Sequence, residues 1–323
     1  MPATIPLNQA QADDIVSRNR QAAAQVVAAA RQGILPPHGF VFFAAFDGTN
    51  NTQHNEPAVN TQTTNVAQLW QQYRVSDRCG GAYFAGPGAP GTLNASSWLS
   101  PKVTRQITQT AELAYAKFTH QARVWFATGR PTADVAIVLT GFSRGVISAA
   151  VFSRLLHERG LTDDNGRQLI APRTITITAG VLFDPVATGV NCSITFAPGA
   201  SNVVHLFALN EYRHLYKAPK YRGVHGITTV DFVGCHCDVG GGYDNGLGAL
   251  SLQAATTYFQ RCGLPMDDVP VHRHFAMPAA DALVHSEGVY NEPPDANRPW
   301  DAYRNFEASQ ADFSPTTRLP WLG

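Results

Sequence analysis

"DVAIVLTGFSRGVISAA" occupies residues 134 to 150. Gly141, Ser143 and Gly145 fit the spacing G-x-S-x-G. The apolar run before the first glycine suits a short strand buried on both faces. The residues after it, Arg144 to Arg159, read as a helix that stops at Gly160. A serine on a sharp turn between strand and helix is held out as a nucleophile, and flanking glycines let backbone segments approach without a Cβ clash. The alternative is a serine that only caps a helix N-terminus. The rest of the chain decides between them.

Further buried-strand candidates lie on both sides of this stretch. They are Phe40 to Phe46 (FVFFAAF), AYFAGPG, TITITAGVLF, VVHLFAL and ITTVDFV. Helical patterns run between them: VAQLWQQY with Asn65 as its cap, Lys102 to Thr128, and Leu250 to Cys262. Strands alternating with helices predict an α/β protein with a largely parallel central sheet flanked by helices. Gln9 to Gln32 is predicted as a helix packing outside the core. The expectation is a single domain over 1–323, with a core of about 38–263, the helix at 9–32 and an irregular tail over 264–323.

A serine hydroxyl needs a base to take its proton and an acid to orient that base. The strand–G-x-S-x-G–helix stretch resembles the nucleophile turn of α/β hydrolases, and that resemblance implies an acid and a base that follow the serine, each just after a later strand. Asp184 directly follows TITITAGVLF, and Pro185 ends that strand. His236 follows ITTVDFV and precedes the run Gly240-Gly241-Gly242, which permits a loop folding back toward Ser143. His205 sits inside an apolar strand and reads as a packed core histidine. His214 and His225 lack a preceding buried strand, and His272, His274 and His285 lie in the tail. The oxyanion donors are expected to be backbone N–H groups of Arg144 and of the loop after the first strand, at Gly48 or Thr49. Asp47 is read as shaping that loop through its N–H groups.

Other chemistries fit less well. FDGT resembles part of the dehalogenase-type phosphatase motif, but the position of the attacking aspartate is Ala45. Cys235-His236-Cys237 has no second pair to complete a zinc site, and five scattered cysteines make no disulfide framework. Asp238, Asp244 and Asn245 form a candidate Ca²⁺ site, because oxygen ligands gather there; otherwise no cofactor is expected. The formal net charge is zero, from 24 basic and 24 acidic residues, so no basic field exists for nucleic acid. Charged residues are only 15% of the chain, which predicts a rather apolar surface. No apolar run approaches the roughly 20 residues that span a bilayer, and no signal peptide is visible.

FAAFDGTNN, TTNVAQLW, GFSRG, VLFDPVATG, VVHLFALNEYRHLY and GCHCDVGGGY occur in this order. Together, over about Phe40 to Phe259, they resemble an α/β-hydrolase family that includes phospholipase effectors of bacterial type VI secretion. That resemblance implies an α/β-hydrolase fold and a triad at Ser143, Asp184 and His236. It implies hydrolysis of acyl esters of glycerophospholipids, of phospholipase A type. It also implies an antibacterial toxin made in the cytoplasm and delivered to a neighbour's periplasm, with an immunity protein and a secretion-system component as partners. Val146, Cys237 and Pro185 depart from the pattern, outside the triad. A soluble carboxylesterase and a catalytically silent binding module on the same fold are the rival readings. Asn191 to Ala200 and the tail are the lid candidates.

Overall fold

The computed structural model describes residues 3–54, 63–89, 101–130, 134–211, 213, 216, 218–219, 221–243, 246–286 and 307–308. Six strands form one sheet: β1 (Phe40–Phe46), β2 (Cys79–Phe84), β3 (Val135–Phe142), β4 (Ile177–Phe183), β5 (Val203–Ala208) and β6 (Ile227–Phe232). Their spatial order is β6-β5-β4-β3-β1-β2, and every pairing is parallel. Helices α1 (Gln9–Ala29), α2 (Asn65–Gln72), α3 (Pro101–Ala127), α4 (Gly145–Arg159), α5 (His236–Gly240) and α6 (Leu247–Cys262) complete the main elements.

β1 shows why the sheet has helices on both faces. All seven of its residues are buried. Phe40, Phe42, Ala44 and Phe46 face α3 and α4, against Phe118, Trp125 and Phe152. Val41, Phe43 and Ala45 face α1, α2 and α6, against Val26, Leu69 and Phe259. A strand with period-2 side chains and no solvent face must be apolar throughout, as FVFFAAF is. The expected α/β architecture with a parallel sheet flanked by helices is the one found.

Three details differ from the sequence reading. The cap of α2 is Thr64, whose side chain accepts Ala67 N–H, and not Asn65. Asn65 instead spends its amide on Val239 O, Gly248 O and Ser251 Oγ, which ties α2 to α5 and α6. Helix α1 is not an outlying decoration, and it ends at Ala29 rather than Gln32. Its Ile15, Ala22 and Val26 are buried, and Asn19 exchanges hydrogen bonds with both Val233 N and Val233 O. Helix α6 starts at Leu247, three residues before the expected Leu250.

The strand order fixes where a site can form. The chain runs outward from β1 to β2, then returns to β3 and proceeds the other way. Adjacent strands β1 and β3 are therefore the topological switch point, where an open parallel sheet leaves a crevice beyond its carboxyl ends. The residues leaving those ends are Asp47-Gly48-Thr49 and Ser143-Arg144.

Candidate active site

Ser143 lies between β3 and α4 with φ of 56°, in the left-handed region that L-residues seldom adopt. A non-glycine residue held there stores on the order of 1 kcal/mol, so the surroundings must enforce it. The glycines on either side show how. A Cβ on Gly145 would overlap Phe46 O and Asp47 O, and one on Gly141 would press on Val146. α4 therefore starts in direct contact with the end of β1, and the turn is held tight. Ser143 N–H donates to Phe183 O, which fastens the turn to β4 as well.

Asp184 leaves the end of β4, also at positive φ, and is fully buried. Its Oδ1 accepts Ala208 N–H at 3.0 Å, so the end of β5 fixes the carboxylate. Its Oδ2 lies 2.6 Å from His236 Nδ1. With the carboxylate as acceptor, Nδ1 carries the proton and Nε2 is left with its lone pair. His236 is not in an open loop as expected; it is the first residue of the short helix α5. Its ring stacks on Phe142, with centroids 4.4 Å apart. The glycine run has a concrete purpose here, since a Cβ on Gly240 would overlap the Phe142 ring. Among the hydrogen bonds of the described residues, none joins Ser143 Oγ to the imidazole; the two are linked by contact through Phe142.

The loop after β1 sits against the serine, with the Cβ position of Gly48 only 3.2 Å from Ser143 Cβ. Gly48 N–H donates to Asp47 Oδ1 at 2.7 Å. This corrects the expectation for Gly48: its N–H is already spent on its neighbour's carboxylate. Thr49 and Arg144, the other two expected donors, leave the ends of β1 and β3 beside Asp47 and Ser143. Asp47 shapes the loop as expected, and it does more. Its Oδ2 accepts from Thr64 Oγ1 and Tyr83 Oη at 2.7 and 2.6 Å.

Asp47 is fully buried, and burial raises its pKa from 3.8 to about 6, against the pull of those three donors. The folded state thus holds a proton that the unfolded chain releases. The stabilising contribution is complete below about pH 4 and is lost as pH rises through about 6, by about 3 kcal/mol. Asp47→Asn should remove this pH dependence. Denaturant midpoints from pH 4 to 8 should show wild type losing ground to the variant as pH rises. Parallel curves would contradict the assignment.

Two residues that sequence reasoning missed brace the histidine. Glu211 Oε2 accepts His236 N–H at 3.2 Å. Arg213 holds the same carboxylate through Nε and Nη2, both at 2.8 Å, and both side chains are buried. The Arg213 guanidinium lies 3.3 Å from the Tyr216 ring centroid, and Tyr216 meets the His236 ring edge-on at 5.1 Å. The available signal was the charged segment NEYRHLY directly after an apolar strand.

His205 is a buried β5 residue beside Thr229, as read. His225 is not brought to the site by any recorded contact. His214, Asp244 and Asn245 lie outside the described residues. Asp238 is taken up by protein donors: Oδ1 meets His285 Nδ1 at 2.6 Å, and Oδ2 accepts Cys235 N–H and His285 N–H. Asn191 to Ala200, one of the two lid candidates, is bonded to its surroundings in this conformation. Arg154 donates to Thr195 O, Ala197 N–H to Ser153 Oγ and Tyr221 to Ile194 O, so the segment is pinned along α4. No helix among the described residues is long and apolar enough to cross a membrane, and no metal-binding cluster occurs among them.

No protein-family model matches the chain, and no curated protein matches it by sequence. Solved structures do. An uncharacterised protein from Pseudomonas aeruginosa is 17% identical over 87% of this chain and 53% of its own, with a TM-score of 0.50. The type VI secretion effector Tle1, solved bound to the VgrG spike, is 18% identical over 65% of this chain and 52% of its own, with a TM-score of 0.48. Esterase PE8 is 17% identical over 69% of this chain and 91% of its own, with a TM-score of 0.30. The chain thus spans about half the length of the first two. At these identities the likeness concerns the fold alone, an open six-stranded parallel sheet flanked by helices.

Proposed function

We propose that the chain is a cofactor-independent serine hydrolase that cleaves acyl esters of glycerophospholipids, a phospholipase A. The observation that carries the proposal is the buried Asp184–His236 pair at 2.6 Å, stacked on the residue before a serine held in a left-handed turn. His236 Nε2 takes the proton of Ser143 as Oγ bonds to the ester carbonyl carbon. The carbonyl oxygen becomes an oxyanion, met by the N–H groups of Arg144 and Thr49. Asp184 steadies the imidazolium that has formed. Collapse breaks the C–O bond to the glycerol, whose oxygen receives the proton from His236. Water then attacks the acyl-enzyme through the same base and frees the fatty acid.

The phospholipid substrate and the antibacterial role rest on the sequence resemblance. So do delivery to a target-cell periplasm, an immunity protein and a secretion-system component. Balanced charge argues against a nucleic-acid partner. The test is fatty-acid release from phosphatidylethanolamine–phosphatidylglycerol vesicles, with mass spectrometry of both products, with and without a chelator. Release with a lyso-phospholipid product, unchanged by chelator, supports the proposal. Activity on small esters without a gain on vesicles would point to a soluble carboxylesterase. A folded protein inert on both would point to a binding module.

A further inference from the structure

On the reading that Ser143 is the nucleophile, we propose that the Arg144 side chain is a positioning residue: it fastens the Thr49 loop to the Asp184 loop across the nucleophile. Arg144 is expected at this place only for its backbone N–H, which any residue supplies. Its side chain is nevertheless 1% exposed. Nη1 donates to Thr49 Oγ1 at 3.1 Å, while Nε and Nη2 donate to Thr188 O at 3.2 and 3.0 Å. Thr49 stands two residues beyond Asp47 in the loop after β1. Thr188 stands four residues beyond Asp184 in the loop after β4. β1 and β4 are the two strands that pair with β3. From the end of the middle strand, one side chain therefore bridges the loops of both neighbours.

Burying a guanidinium carries a desolvation cost that a neutral residue would not incur. Burial lowers its pKa to about 10, with Tyr216 opposing the fall. It stays charged at neutral pH, and Tyr216 is the ring that meets His236 edge-on. The planar fork of arginine reaches both loops at once, whereas a lysine ammonium is a single point. Without the bridge the Gly48-Thr49 loop that lies against Ser143 is free to shift, and a misplacement near 1 Å costs about 100-fold in rate.

The experiment measures kcat and KM on p-nitrophenyl butyrate, with thermal melting to confirm folding, for wild type, Arg144→Lys, Thr49→Val, Thr49→Ser and the double variant Arg144→Lys/Thr49→Val. Arg144→Lys is expected to lower kcat about 100-fold and leave KM nearly unchanged. Thr49→Val is expected to lose about 10-fold by removing the acceptor. Thr49→Ser should recover most of that loss, and Thr49→Val should cost little more in the Arg144→Lys background. If Arg144→Lys does not fold, the contrast between Thr49→Val and Thr49→Ser decides. Folded Arg144→Lys with wild-type kcat, or equal rates for Thr49→Val and Thr49→Ser, overturns the proposal while the nucleophile reading stands. Wild type inert on the ester and unreactive toward a fluorophosphonate overturns both.

Discussion

Ser143→Ala is expected to lower kcat for ester hydrolysis by at least about 10⁴-fold, because members of a triad act as a unit. Melting should show the variant folded. Alanine is as strained as serine at φ of 56°, and among the hydrogen bonds of the described residues none uses the lost Oγ. Ser143→Gly separates the two consequences of the turn. Glycine adopts a left-handed φ freely, so this variant should be equally inactive yet more stable by about 1 kcal/mol. Denaturant unfolding of the three proteins side by side gives the comparison. An active Ser143→Ala protein would end the account of Ser143 as nucleophile.

Asp184→Asn is expected to cost about 10⁴-fold in kcat with the fold kept. The size follows from which oxygen does what. Ala208 N–H requires an acceptor at the Oδ1 position, so the asparagine carbonyl must sit there. The amide NH₂ then takes the Oδ2 position and faces His236 Nδ1. A donor facing Nδ1 forces the ring proton onto Nε2, the nitrogen that has to receive the serine proton. The base is held in the wrong tautomer by one substituted atom. Steady-state rates on p-nitrophenyl butyrate test this. A loss of less than about tenfold would mean that Asp184 does not orient the base.

Much of the fold was legible because burial on both faces leaves a plain record. FVFFAAF has no polar position to fit a solvent face, and AIVLT followed by G-x-S-x-G points to a strand entering a tight turn. Asp184 and His236 were legible by place, each just beyond such a strand. Other features were not, for physical reasons. Thr64 and Asn65 are both good capping residues, and only the tertiary bonds of Asn65 to α5 and α6 decide which one caps. The stripe on α1 is weak because Ala22 and Asn19 do its packing and bonding, neither of which reads as strongly apolar. Asn191 to Ala200 reads as a loop, and the bonds that pin it come from Ser153, Arg154 and Tyr221, all distant in sequence. Gly48 reads as an oxyanion donor because nothing in a sequence shows that Asp47 turns back on its own neighbour. Nothing in the sequence shows that the fold buries Glu211, Arg213 and the Arg144 side chain around His236 and Ser143.

The most direct test of the central claim is labelling of the folded protein with a fluorophosphonate, read by intact mass and peptide mapping. Phosphonylation needs an activated serine and an oxyanion site, but no particular substrate. The account predicts a single adduct on the peptide containing Ser143, absent in Ser143→Ala and slowed at least about 100-fold in His236→Ala. A folded wild-type protein that takes no label, or takes it on another residue, would contradict the assignment of Ser143 as the nucleophile.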